Sequence, residues 1–173
     1  MRQFKYTIYT KTILTLIYQS DNLLSENDRE DEIIIFGLRK IYQNGGDSLK
    51  TQVETKKAPA AIGPYSQGIK AGNIIITSGQ LPISTETGTF PDTIEEQTRQ
   101  SLENCRAVLE EAGATMDDVI KTTVFLKDMN DFASMNGVYE TFFNGVCPAR
   151  SAVQVAKLPK DAKIEIECLA VVG

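Results

Sequence analysis

Between Asp92 and Gly113 the residues Ile94, Thr98, Leu102, Cys105, Val108, Leu109 and Ala112 recur at spacings of three and four, which draws one continuous stripe down a helix. A helix so patterned has to lay that stripe against another element, and this constrains the fold more than any other feature of the chain. Asp92 is read as the N-cap, with Glu95 three residues on completing a capping box, and Gly113 as the stop. A second stripe, Phe132, Met135, Tyr139, Phe142 and Phe143, predicts another helix over about 130–143.

The remaining patterns are those of strands. Residues 53–57 read as a first strand, and 58–65 as a loop, because two prolines and a glycine forbid regular helix or central strand there. Residues 67–70 and 74–77 flank a turn at Ala71-Gly72-Asn73 and predict a hairpin. Residues 119–127 are rich in β-branched side chains and alternate Ile120, Thr122, Val124 and Leu126 on one face. Two closing strands, 151–156 and 163–171, are joined through Leu158-Pro159-Lys160-Asp161. The order β-β-β-α-β-α-β-β is α+β, with both helices on one face of a mixed six-stranded sheet. The other face is left uncovered, so association through it is expected.

Residues 1–48 have a different character. They carry an acidic run from Glu26 to Glu32 and the apolar burst Ile33-Ile34-Ile35-Phe36, without a sustained period. The first twenty residues hold Arg2, Lys5 and Lys11 and no acid, as a targeting segment does, but the apolar run at 13–18 is short and lacks a small-residue cleavage pattern. It is also too short to span a membrane. Two readings stand: a disordered or lightly structured extension, or translation that starts at Leu49, since Asn44-Gly45-Gly46-Asp47 can be encoded by a purine-rich stretch resembling a ribosome-binding site. The core is therefore placed at 49–173.

With 173 residues the chain suits one domain with a real core. It has no histidine, which removes Ser-His-Asp and Cys-His catalysis and imidazole ligands together. Its net charge of −5 opposes binding to a phosphate backbone, and residues 49–173 hold 12 Lys+Arg against 16 Asp+Glu, net −4. Cys105, Cys147 and Cys168 lack CxxC spacing and read as reduced thiols of a cytoplasmic protein.

Chemistry must then come from other groups. In the last strand Ile164, Ile166 and Cys168 share one face, and Glu165, Glu167 and Leu169 the other. Arg150, at the start of the preceding strand behind Pro148-Ala149, carries a planar fork suited to bidentate capture of a carboxylate, presented by a turn at the sheet edge. These residues allow an Arg/Glu site for a small carboxylate and do not define a reaction.

The segments Ala58-Pro59-Ala60-Ala61-Ile62-Gly63-Pro64-Tyr65-Ser66-Gln67, Ile76-Thr77-Ser78-Gly79-Gln80, Lys127-Asp128-Met129-Asn130-Asp131-Phe132, Pro148-Ala149-Arg150-Ser151 and Ile164-Glu165-Ile166-Glu167 occur in that order. Together they closely resemble the signatures of the reactive-intermediate deaminase (YjgF-like) family across essentially all of 49–173. The resemblance implies a chorismate-mutase-like α+β fold and a homotrimer with its sheets in a central barrel-like core and active sites in clefts between subunits. It implies hydrolysis of 2-aminoacrylate and 2-aminocrotonate, through their 2-imino acid tautomers, to 2-oxo acids and ammonia, with no cofactor, no metal, no nucleic acid and no membrane. Carried over residue by residue, Arg150 clamps the substrate carboxylate, and Glu165 positions water and assists proton transfer within the same cleft. Tyr65 and Ser78 line the pocket, Asn136 lies near its entrance, and backbone groups around Gly79 and Ala152 touch the substrate. Ala152 stands where many relatives have cysteine, so no thiol nucleophile is available there. The segment before Pro148 is shorter than in many relatives, which bears on the cleft rim and substrate size. A non-catalytic, small-carboxylate-binding trimer acting as regulator or holdase is the alternative.

Overall fold

The computed structural model describes residues 49–173; the expectations for 1–48 lie outside these. Six strands, β1 (Thr51–Val53), β2 (Gly68–Ala71), β3 (Ile74–Thr77), β4 (Val119–Leu126), β5 (Ala149–Gln154) and β6 (Ile164–Val171), alternate with helices α1 (Ile94–Glu111) and α2 (Phe132–Tyr139) in the predicted order. They form one mixed sheet in the order β1-β2-β3-β6-β4-β5, antiparallel throughout except for the parallel β4–β5 pair. Among the described residues no helix is long and apolar enough to cross a membrane.

Helix α1 begins one residue later than expected. Thr93, not Asp92, is extended at φ −90°, and its Oγ1 accepts the Glu96 N–H, while the Glu96 carboxylate accepts the Thr93 N–H. The box is thus Thr93/Glu96 rather than Asp92/Glu95. Both pairs satisfy the sequence rule, and tertiary bonds accompany the Thr93 solution: Gln97 Nε2 donates to Pro91 O and Gln97 Oε1 accepts from Lys163 N. At the other end Gly113 takes φ +85°, and Ala114 N–H reaches back to Leu109 O while Gly113 N–H reaches Glu110 O, a Schellman closure.

The first strand ends at Val53 instead of starting there. Gln67, almost fully buried, accepts the Thr55 N–H through its side-chain carbonyl and donates through Nε2 to the carbonyls of Thr55, Ala58 and Pro59. A side chain has taken the backbone bonds that a neighbouring strand would have supplied. In β4 the alternation also departs from expectation: Ile120 is 52% exposed and Val119 is buried, because a bulge between Val119 and Lys121 leaves Ile120 without a partner across from β6. Thr122, Val124 and Leu126 face inward as predicted.

The core lies between α1, α2 and one face of the sheet. Ile75 on β3, Val124 on β4 and Ile164, Ile166 and Ala170 on β6 have no exposed surface, and they meet Leu102, Val108 and Leu109 of α1 and Met135 of α2. On the opposite face Ile74, Ile76 and Val153 remain exposed beside Glu165, Glu167 and Leu169. At Gly68 α1 packs tightly on the sheet: a Cβ there would stand 2.7 Å from Val108 Cγ1 and 3.1 Å from Ile76 O. Gly68→Ala is expected to destabilise the domain by about 1–3 kcal/mol through overpacking, seen as a lower urea midpoint with an unchanged slope.

Candidate active site

The loop that precedes β2 is built around Gln67, and the same clamp sets Tyr65. Ser78 N–H donates to Gln67 O at 2.9 Å, and Ser78 Oγ donates to Ser66 O at 2.6 Å, so the end of β3 is stitched to the loop just past Tyr65. Ser78 therefore acts on the loop, and its hydroxyl is engaged. Tyr65 stands half exposed at the mouth of a cleft of about 680 Å³ that Gly79 also lines, together with Leu81, Ile83 and residues of the 54–62 loop.

Beyond Gly79 the chain bridges to β6, with Gln80 N–H donating to Ile166 O at 2.8 Å and Ile166 N–H to Gln80 O at 3.2 Å. That bridge brings Glu165 over Gly79. A Cβ on Gly79 would overlap the Glu165 carboxylate, so the carboxylate occupies the space that only glycine leaves. Glu165 makes no hydrogen bond or ion pair among the described residues. Partial burial, and then the like charge of Glu167, push its pKa above the usual carboxylate range. A half-buried carboxylate without a partner among the described residues, set against a glycine that lines the cleft, is suited to general base work.

Arg150 belongs to a second cluster. It lies at the start of β5 as expected, second after Ala149, on the edge strand of the sheet. Its Nη2 donates to Asn136 Oδ1 at 2.8 Å, and its guanidinium stacks 4.5 Å from the Tyr139 ring centre and 5.4 Å from that of Phe132. Tyr139 is held in turn by a 2.7 Å hydrogen bond between its hydroxyl and Thr122 Oγ1, and burial raises its pKa, against the lowering effect of Thr122 and Arg150. The guanidinium makes no ion pair with a carboxylate among the described residues, so most of its five donors are open to a ligand. Ala152, two residues on, shares this face opposite Val124 and packs on the core edge.

Register decides how the two clusters relate. Arg150 pairs with buried Thr122 and so projects on the helix face, whereas Glu165 pairs with Phe125 and projects on the open face. One chain therefore does not bring the expected clamp and base into a single cleft. It carries two half-sites, Arg150 with Asn136 and Ala152 on one face, and Glu165 with Gly79, Tyr65 and the Ser78 tether on the other. The sequence reading missed Gln67, whose four bonds reach back up to twelve residues, and treated Phe132 and Tyr139 as core alone. The spacing Phe132, Asn136, Tyr139, at i, i+4 and i+7, was the available signal for one helical stripe meeting Arg150. Among the described residues no group of three acidic or cysteine side chains could hold a metal, and all three cysteines are free.

A sequence profile described as endoribonuclease L-PSP matches residues 55–172, and the chain belongs to this family. It is 57% identical over 122 residues to the 2-iminobutanoate/2-iminopropanoate deaminase of Escherichia coli K12, an alignment covering 69% of this chain and 95% of that protein. The structure is similar to that of the E. coli YjgF gene product, with a TM-score of 0.69 and 54% identity over 71% of this chain and 99% of that one. It is equally similar in TM-score, 0.69, to E. coli TdcF with bound serine, at 48% identity over 71% of this chain and 99% of that one.

Gly79→Ala tests the Glu165 half-site directly. The displaced group is the far end of a flexible side chain, so the fold tolerates the methyl while the carboxylate loses its place. Thermal melting within a few degrees of the parent is expected, together with a fall in turnover of about tenfold or more.

Proposed function

We infer that this chain is a 2-iminobutanoate/2-iminopropanoate deaminase, which hydrolyses 2-aminoacrylate and 2-aminocrotonate, as their 2-imino acid tautomers, to pyruvate or 2-oxobutanoate and ammonia. The observation that carries this reading is the close identity to an enzyme of that name over nearly its whole length, in a chain whose Arg150 and Glu165 make no ion pair among the described residues. Such imines leave pyridoxal-phosphate dehydratases that act on serine, cysteine or threonine, and their hydrolysis limits damage by a reactive electrophile.

Arg150 takes the substrate carboxylate through paired N–H donors, its plane fixed by the rings of Tyr139 and Phe132 and by Asn136. Glu165, ionised, accepts a proton from a water as the water oxygen bonds to C2, and the C=N bond becomes a C–N single bond. The same carboxylate returns the proton to nitrogen to give the carbinolamine; it then takes the carbinolamine's hydroxyl proton and passes it to nitrogen as the C–O bond becomes C=O and the C–N bond breaks, releasing ammonia. Water is the only co-reactant in this scheme, and holding it between carboxylate and imine carbon supplies much of the acceleration.

A complete site in this reading forms between subunits, where the Arg150 half-site of one copy meets the Glu165 half-site of another. The proposed assembly is a homotrimer with open sheet faces inward. Two features support it: Ile74, Ile76 and Val153 leave an apolar surface without a cover from residues 49–173, and the two half-sites lie on opposite faces of one sheet. The proposed compartment is the cytoplasm, where free thiols such as Cys105, Cys147 and Cys168 persist. A bare carboxylate sensor gains nothing from an unpaired Glu165 beside its anionic ligand, which favours chemistry over binding alone. RNA cleavage, the activity in the family's description, is disfavoured by the acidic balance of residues 49–173.

The test generates 2-aminocrotonate in situ with a threonine dehydratase and follows 2-oxobutanoate. The wild-type chain is expected to accelerate its release, and Arg150→Ala to lower kcat/KM by roughly 100-fold or more, as for the loss of one partner of a charged pair. A wild-type rate equal to the protein-free control would defeat the assignment. The acid limb offers a second check. The base works ionised, so activity rises with pH through the Glu165 titration, and its raised pKa places that limb above the ordinary glutamate range. Glu167→Gln removes one raising cause and leaves burial, so the limb is expected to move to lower pH while staying above an ordinary glutamate.

A further inference from the structure

The cleft that opens from Tyr65 and Gly79 measures about 680 Å³ in the protomer. Its wall beyond Gly79 is the segment Leu81-Pro82-Ile83, which belongs to no helix or strand. One end of this segment is anchored by the Gln80–Ile166 bridge, and the other by the turn in which Ser84 N–H donates to Thr89 O and Gly88 N–H to Ser84 O. Between these anchors the only hydrogen bonds to the segment among the described residues come from Asn104 of α1. Its Nδ2 donates to Leu81 O at 2.9 Å and to Ile83 O at 3.0 Å, and its Oδ1 accepts from Gln100 Nε2 at 3.0 Å. Asn104 is 1% exposed and touches no part of the proposed reacting centre.

One buried amide holds both carbonyls, and Pro82 between them is buried while Leu81 and Ile83 on either side are partly exposed and line the cleft. Leu81 and Ile83 therefore stand together, half-buried, on the wall of the cleft that begins at Gly79. We propose that Leu81 and Ile83 form a subsite for the hydrocarbon chain of the substrate and that Asn104 is its positioning residue, so that the enzyme favours 2-imino acids derived from longer apolar amino acids over the three-carbon one. This rests on the deaminase reading above, with the reacting carbon beside Glu165 and the side chain directed along the wall. The geometry explains why α1 buries an asparagine in its middle, where an apolar residue would leave two carbonyls without partners.

The test measures kcat and KM for 2-imino acids of three, five and six carbons, generated in situ from alanine, norvaline and norleucine by an amino-acid oxidase. The wild type is expected to show kcat/KM rising with chain length. Asn104→Asp keeps the size of the side chain and removes at least one of the two donors, so that both carbonyls cannot be held; Leu81→Ala combined with Ile83→Ala keeps the Asn104 bonds, which go to backbone, and removes the apolar surface. In each the ratio of kcat/KM for the six-carbon over the three-carbon substrate is expected to fall about tenfold, mainly through KM, the size of effect that two methylenes lost from burial would give. An equal loss for all substrates in the Asn104→Asp protein, or an unchanged ratio in the double alanine protein, would overturn the proposal. Should Asn104→Asp fail to fold, the double alanine protein decides alone. Failure of the wild type on every substrate, the three-carbon one included, would instead remove the deaminase reading.

Discussion

Strand β6 sits between β3 and β4 and buries one face completely, and the rest of the molecule is arranged around that fact. Ile164, Ile166, Cys168 and Ala170 meet the helices, so the period of two gives Glu165 and Glu167 no side but the other. A slip of one residue would bring both carboxylates into the core and expose the isoleucines. The position of the acid is thus enforced by the hydrophobic effect acting on its neighbours. The Gln80–Ile166 bridge then brings Gly79 beneath the carboxylate, and Thr77 Oγ1, which accepts the Cys168 N–H, fastens β3 to the same strand further along.

Much of this is legible in the sequence, for definite physical reasons. The α1 stripe and the alternation in β6 are short-range periodicities, and both appear where the sequence put them. The errors arose where distant groups intervened. Asp92 and Thr93 are each followed by glutamate at the third position, and which caps α1 is not decided by the local pattern alone. Strand β1 lies upstream of its expected place because Gln67, a dozen residues away, takes the backbone of Thr55. The bulge at Ile120 is a matter of pairing with β6, which no pattern within β4 reveals.

The candidate site divides along the same line. Arg150 and Glu165 could be singled out as types of residue, and Glu165 could be assigned a face, because its own strand encodes it. The face of Arg150 follows from parallel pairing with Thr122, a long-range choice, and with it follow the stacking on Tyr139 and Phe132 and the bond to Asn136. The outcome is a protomer with these positive and negative groups kept apart, each without an ion pair among the described residues. Had they met within one chain they would neutralise each other and leave little for a ligand to displace.

The Gln67 clamp has a consequence for how the cleft rim can change over time. The path of residues 55–59 is dictated by one buried amide bonded to main-chain atoms, while Lys56, Lys57, Ala60 and Ile62 point to solvent and contribute nothing to that hold. Their identities can drift without altering the course of the backbone. Mutation can therefore explore new rim chemistries on a fixed frame, which separates the inheritance of selectivity from the inheritance of shape.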